Sequence, residues 1–264
     1  MVQKKFWKIF KKENRINDSK REIHLEELDT LLARRWKEAL SSRFALKLIK
    51  KSRGIDRRIY AMYVIQIYHW AYHTGRTLAI TGANPFNTNH EYMDFCYKHA
   101  REENGHELMA LSDLREMGVP IQNPAIDMPP PLPGTEVLIA FVRWMATQKN
   151  PHRILGYDYW TENPYKYINS TVLKMAGNFG LKQDQMSFFF KHKNIDIHHE
   201  KDIEEILLKV CKTEEDWDMV KETATTTMKI LFDMIEDLFD SFEKLKKGQM
   251  KKYEILNQMP GIKH

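Results

Sequence analysis

KHKNIDIHHEKDIEEILLKV, residues 191–210, decides how this chain is read. Ile203, Ile206 and Val210 recur at helical spacing and mark the apolar face that a helix turns toward a core. Followed toward the N-terminus at the same spacing, that stripe continues as His199, Asp196 and His192. A neighbouring register, His198, Asp202 and Glu205, runs on into Lys209 and reads as a solvated face. The apolar continuation selects the first register, which predicts two imidazoles and a carboxylate on the inward side of one helix.

Two other segments repeat the pattern. Within residues 89–117, His99, Glu103, His106, Ala110, Asp113 and Met117 share a face, and Glu103 and His106 form a Glu-x-x-His pair aimed at one spot. Within residues 150–174 the inward stripe is Leu155, Tyr159, Glu162, Tyr165, Asn169 and Leu173, with Asn163-Pro164 directly after the carboxylate. A proline there removes a helical hydrogen bond and loosens the backbone beside Glu162. Burying so many ionisable groups costs several kcal/mol each unless they pair or bind a metal. A single inward histidine is usually a hydrogen-bonded core residue; three helices presenting such groups together point to a metal site. Facing helices of a bundle can offer carboxylates and Glu-x-x-His pairs to two iron or manganese ions, and mixed carboxylate and imidazole donors suit iron that keeps open positions for dioxygen.

The rest of the chain supplies the frame. Its 264 residues are 42% hydrophobic and 29% charged, a composition that buries a core and is too apolar for intrinsic disorder. No apolar run approaches the ~20 residues of a membrane span. The basic N-terminus lacks a continuous apolar segment and cleavage site, and two cysteines, Cys96 and Cys211, make no disulfide framework, so a reducing cytoplasm is the expected location. Proline is absent before Pro85 and between Pro164 and Pro260, which leaves both stretches free to form long helices. Helices are predicted over 24–51, with Ser41-Ser42 as a candidate break, and over 55–80, 89–117, 135–147, 150–174 and 181–210. A seventh runs to about residue 248 from a capping-box-like Thr213 and Asp216, and 120–134 is the one long loop. With no alternating strand outside these segments, the expected fold is all-α, a single seven-helix bundle. Its parts are a basic arm over 1–20, the helical domain over 21–250 and a tail over 251–264.

Residues 1–60 hold 18 Lys or Arg against 8 Asp or Glu. The basic residues alternate with Glu22, Glu26, Glu27 and Glu38 at helical spacing, which reads as a salt-bridged helix face. No zinc-finger spacing, RNP motif or Gly-rich RNA loop occurs, so no nucleic acid partner is expected.

With these residues in view, the chain resembles the haem-oxygenase-like diiron oxidase and oxygenase family. The resemblance is carried by Glu102-Glu103-Asn104-Gly105-His106-Glu107, by the stretch from Ile154 to Glu162, by His192-x-x-x-Asp196-x-x-His199, and by the aromatic, His-rich run from Gln66 to His73. It spans roughly residues 45–245. It implies a seven-helix haem-oxygenase-like fold holding two iron ions through Glu103, His106, Glu162, His192, Asp196 and His199, with dioxygen as co-substrate. It also implies oxidation of a small amino or carboxylic acid by N-oxygenation, desaturation or oxidative C–C cleavage, with no catalytic residue beyond the metal centre. Some members add a carboxylate from an early helix; here residues 55–80 hold no Glu, and their only Asp is Asp56 at the edge. The resemblance then leaves His69 or His73 to substitute, or a more loosely held second iron.

His69, His73, Arg76 and Tyr157 are the candidate substrate-binding residues, Arg76 through bidentate contact with a carboxylate. A core role for the aromatics and an ion pair of Arg76 with Asp113 or Glu162 are the competing readings. Three other functions stay open: a metal-free member of the same fold, a haem-binding one for which His24 is the available early histidine, and a non-enzymatic helical module using the basic first 60 residues. A homodimer is a possible assembly.

Overall fold

The computed structural model describes residues 15–41, 55–164, 166–167 and 178–261, with the side chains of 191–198 outside the description. Among the described residues the chain is helical, and its only β pairing is an isolated bridge between Arg15 and Thr213. No described helix is long and apolar enough to cross a membrane.

Asn17 accepts from Lys20 N and opens α1, Asp18–Leu40, which buries His24, Leu28, Leu32 and Trp36 at successive turns. Asp56 caps α2, Arg57–Gly82, and Asn89 caps α3, His90–Glu102. The chain then turns through residues 103–106 and resumes as α4, Glu107–Glu116. The short α5, Pro124–Asp127, interrupts the proline loop, and α6 spans Pro133–Met145. A 3-10 turn, Pro151–Ile154, leads into α7, Leu155–Glu162, and a second, Gln183–Met186, leads into α8, Ser187–Val210. Thr213 and Asp216 cap each other's backbone at the start of α9, Glu214–Lys246, as their spacing predicts.

Helix α9 is the spine. Its first half joins one apolar cluster with α1, α3, α6, α7 and α8. Leu238, Phe242 and Leu245 at its far end join a second cluster with α2 and α4. The tail closes that second cluster through a 3-10 segment, Lys251–Gln258. There the buried Tyr253 hydroxyl donates to Pro130 O and accepts from Gln66 Nε2. The arm expected over 1–20 falls outside the described residues up to residue 14.

Two predicted helices are corrected. The one over 89–117 is broken, because Gly105 takes a φ of +97°, a left-handed conformation open to glycine and incompatible with a continuing helix. The one over 150–174 is interrupted at Asn163, which is off helical geometry because Pro164 disfavours the helical region for the residue before it, and Pro164, Lys166 and Tyr167 are helical again. Residues 168–177 lie outside the described residues. These breaks, with α5, divide the seven expected helices further while the all-α architecture holds.

Candidate metal centre

Both breaks fall at the same place in space. Glu103 follows the last residue of α3, Glu162 is the last residue of α7, and His99 sits in the final turn of α3. A helix C-terminus carries a partial negative charge, so two helix ends and two carboxylates make this pocket attractive to a cation. Helix α8 supplies His199 and is held at its own start by Asp113 of α4. That buried carboxylate accepts from Ser187 N at 2.8 Å, Ser187 Oγ at 2.6 Å and Phe188 N at 3.0 Å. Helix α7 is set in place by Gly156, where an added Cβ would lie 2.0 Å from Val220 O on α9.

His99, Glu103, Glu162 and His199 thereby offer four ligand atoms within 4.8 Å of one another. The four residues are 3%, 4%, 6% and 6% exposed, and they form the one such cluster among the described residues. His199 Nδ1 donates to Glu162 Oε2 at 2.9 Å and lies 3.9 Å from Glu103 Oε1. His99 Nε2 lies 3.7 Å from Glu162 Oε1 and 3.9 Å from Glu103 Oε1, beyond hydrogen-bond reach. The two imidazole rings are 4.6 Å apart.

Burial works against charge on His99, but Glu162, Glu103 and Asp158 outweigh it and hold the imidazole up at about 9. Burial likewise opposes the Glu162 carboxylate, yet His199 and His99 keep it well below the usual carboxylate range. Asp158, one turn before Glu162, is pushed up to about 7 by burial, His99 drawing it down and Glu162 and Glu103 adding to the rise.

The residues fit a metal ion. Both ring nitrogens of His99 and Oε1 of Glu103 are buried without a hydrogen-bond partner, where such atoms are normally paired. Two imidazoles and two carboxylates are a donor set suited to iron.

Of the ligands that the resemblance implies, Glu103, Glu162 and His199 meet in this cluster. His106 stands one contact further out, its Nδ1 donating to Glu103 Oε2 at 2.9 Å. His192 and Asp196 lie on α8 two turns and one turn before His199, and their side chains are outside the described residues. Among the described residues His99 also joins the cluster; it shares the predicted face one turn before Glu103, but the resemblance carries no ligand there.

The substrate candidates divide. Tyr157 lines a cavity beside the cluster. His69 instead donates to Pro129 O at 2.7 Å, and His73 accepts from Arg143 at 3.2 Å. Neither belongs to the cluster as a substitute for the missing carboxylate. Arg76 is exposed and stacks over Tyr72, so it forms no ion pair with Glu162 or Asp113. His24, the residue a haem would need, lies 2.8 Å from Glu214 and 3.1 Å from Glu27 and stacks on Trp217.

The cavity measures about 110 Å³ and is bounded by Glu103 and Glu162. Trp36, Trp70, Trp160, Phe188 and Phe189 wall much of it. Trp70 Nε1 donates to the Tyr157 hydroxyl, and Trp160 Nε1 donates to Thr227 Oγ1 at 2.8 Å, so both indoles are held by their polar ends as well as by packing.

Comparison with known proteins agrees with this architecture. A sequence model of a family described as iron-containing redox enzymes matches residues 61–231. A solved domain of unknown function with a heme oxygenase-like fold from Shewanella denitrificans is 32% identical. It covers 85% of this chain and 95% of its own, with a TM-score of 0.79. Two TenA homologues, from Pyrococcus furiosus and P. horikoshii, are each 14% identical. They cover 81% and 82% of this chain and 99% and 98% of their own, with TM-scores of 0.64 and 0.63, and share the fold. No curated protein matches.

Proposed function

The chain belongs to the family of iron-containing redox enzymes, and from that premise we propose that it is a non-haem diiron enzyme using dioxygen to oxidise a small organic molecule. The oxidation is an N-oxygenation, a desaturation or an oxidative C–C cleavage. The observation that carries the reading is the buried His99, Glu103, Glu162 and His199 cluster with its unpartnered ligand atoms. His106, His192 and Asp196 complete the proposed ligand set around it, giving two ions the kind of carboxylate-rich site that helical bundles build.

Iron held there supplies the redox change and the binding of dioxygen. The chain's own groups do the rest. Glu103 and Glu162 provide negative charge at two helix ends. His99, protonated in the metal-free pocket, gives up its proton on loading. The aromatic walls of the cavity exclude water from the reacting centre, which strengthens electrostatics inside and limits side reactions. Tyr157 and the cavity beside Glu103 and Glu162 receive the substrate. The pairing of His24 with Glu27 and Glu214 argues against the haem-binding alternative.

The test is dioxygen uptake by the protein loaded anaerobically with ferrous iron. A panel of amines, amino acids, fatty acids and neutral aromatics should contain a compound that accelerates uptake and is itself altered. Uptake no faster than that of free ferrous iron, with every compound unchanged, overturns the proposal.

A further inference from the structure

Helix α6 lies at the surface, and its two sides are unlike. Gly134, Thr135, Leu138, Val142 and Met145 are buried on one side. At 3.6 residues per turn, Glu136, Val137, Ala140, Arg143 and Trp144 turn the other way, and all but the half-buried Arg143 are exposed. Val137 is 53% exposed and Trp144 52%. Phe141 extends the apolar surface with its ring 5.8 Å from that of Trp144. On α2, beside the His73 that meets Arg143, Tyr72 is 40% exposed. Large apolar groups gathered on an outer face in this way mark a contact surface.

The order of residues along α6 identifies what covers it. The outward face has two edges. Glu136 and Arg143 stand on one, Val137 and Trp144 on the other, and Ala140 lies between them. Each pair is seven residues apart, about 10.5 Å along the helix, and each is centred on Ala140 to within half a residue. A two-fold axis at Ala140, perpendicular to α6, lays a second α6 antiparallel on the first with each edge against its own copy. Glu136 then meets the partner's Arg143, Val137 meets the partner's Trp144, and every contact occurs twice, as an isologous interface requires. The small Ala140 at the crossing lets the axes approach to roughly 8–10 Å. A parallel arrangement would set Glu136 against the partner's Val137 and bury a carboxylate on an apolar edge, which is costly. Arg143 reaches His73 Nδ1 at 3.2 Å through one nitrogen; its guanidinium carries several further N–H donors, so a bidentate contact with a carboxylate stays open to it. From this reciprocal register we infer that α6 is the face through which two copies of the chain associate, antiparallel about Ala140.

Sedimentation equilibrium of the metal-free full chain tests the inference. The parent should sediment at twice the 31.4 kDa chain mass at micromolar concentration. Glu136→Lys and Arg143→Glu each bring like charges together at both ends of the interface and should weaken dimerisation at least tenfold. The two combined exchange the charges and should restore it. Trp144→Ala, which changes no charge, should weaken it at least tenfold as well. Circular dichroism melts check that each variant is folded; if Arg143→Glu melts early through loss of its bond to His73, Glu136→Lys and Trp144→Ala decide the matter. A parent that stays monomeric overturns the inference, and so does a dimer that Glu136→Lys and Trp144→Ala leave intact. A folded charge-exchanged variant that remains monomeric overturns it too, because the antiparallel register would then be wrong.

Discussion

Replacing Gly156 by Ala tests whether the close approach of α7 to α9 positions the metal centre. The new Cβ would stand 2.0 Å from Val220 O, 2.9 Å from Val220 C and 3.0 Å from Ala224 N, all backbone atoms of α9. Backbone cannot swing aside as a side chain does. Restoring an ordinary contact of 3.4 Å means withdrawing α7 by about 1.4 Å. Glu162 rides at the end of that helix, and its 2.9 Å bond to His199 would stretch beyond hydrogen-bond range. Overpacking of this kind costs about 1–3 kcal/mol, and the helix preference of Ala over Gly returns about 0.5–1 kcal/mol. A net loss of about 1–2 kcal/mol corresponds to a fall in Tm of roughly 2–8 °C for a domain of this size. Metal affinity should fall about 10–100-fold, as when the groups supporting a metal ligand are disturbed. Thermal unfolding of the metal-free variant and a chelator-competition titration read the two effects. A variant that melts at or above the parent and keeps its metal affinity refutes the reasoning, because α7 would then have room that the packing denies it.

In the metal-free protein His99 is held up at about 9, above its unfolded value of ~6.5. Its stabilisation, on the order of 3 kcal/mol, is therefore complete below pH ~6.5 and lost as pH rises through about 9. Urea unfolding of the parent and His99→Asn should differ most at pH 6 and converge by pH 9.5; a difference that grows with pH contradicts it. Asp158 is raised from 3.8 to about 7 by burial, so its charge destabilises the metal-free fold increasingly as pH climbs through that window. Asp158→Asn should gain on the order of 2–4 kcal/mol over the parent at pH 8 and little at pH 4, and equal unfolding midpoints at pH 8 would discard the argument. Asp113→Ala removes three hydrogen bonds from the start of α8 and should cost about 2–3 kcal/mol in denaturant unfolding, with iron retention reduced. A loss under 0.5 kcal/mol would mean that α8 is anchored elsewhere. The register of α8 turns His199 into the cluster, so His199→Ala should lose tight iron binding while His198→Ala keeps it; the opposite outcome on metal analysis overturns the register.

Much of this was legible because the evidence was periodic. The stripe of Ile203, Ile206 and Val210 is buried and carries His199 inward as its spacing requires. Thr213 and Asp216 announce α9 through purely local chemistry. Glu103 was found through its Glu-x-x-His spacing to His106, and Glu162 because it lies on a stripe with Leu155 and Tyr159. The helix ends were harder. The stripe from His99 to Met117 passes unbroken through residues that form a turn, and only Asn104-Gly105 signals the interruption. Pro164 marked the end of α7, and the periodic pattern beyond it is helical again at Pro164, Lys166 and Tyr167. His99 was on the right face yet lay outside the motif that the resemblance supplied. Long-range contacts left no local trace: the pairing of His69 with Pro129 and Tyr253 locking the tail to Gln66 and Pro130 depend on how the helices pack. The aromatic lining of the cavity depends on it as well, since it draws residues from α1, α2, α7, α8 and α9 at once.

The central claim is the metal centre, and iron content tests it most directly. The full chain is loaded anaerobically with ferrous iron, passed through gel filtration and analysed for iron against protein, beside His99→Ala and His199→Ala treated identically. The account predicts about two irons per chain in the parent, with both variants losing tightly held metal because each removes a member of the buried cluster. A parent that emerges with no iron, or with haem absorbance in its place, contradicts it.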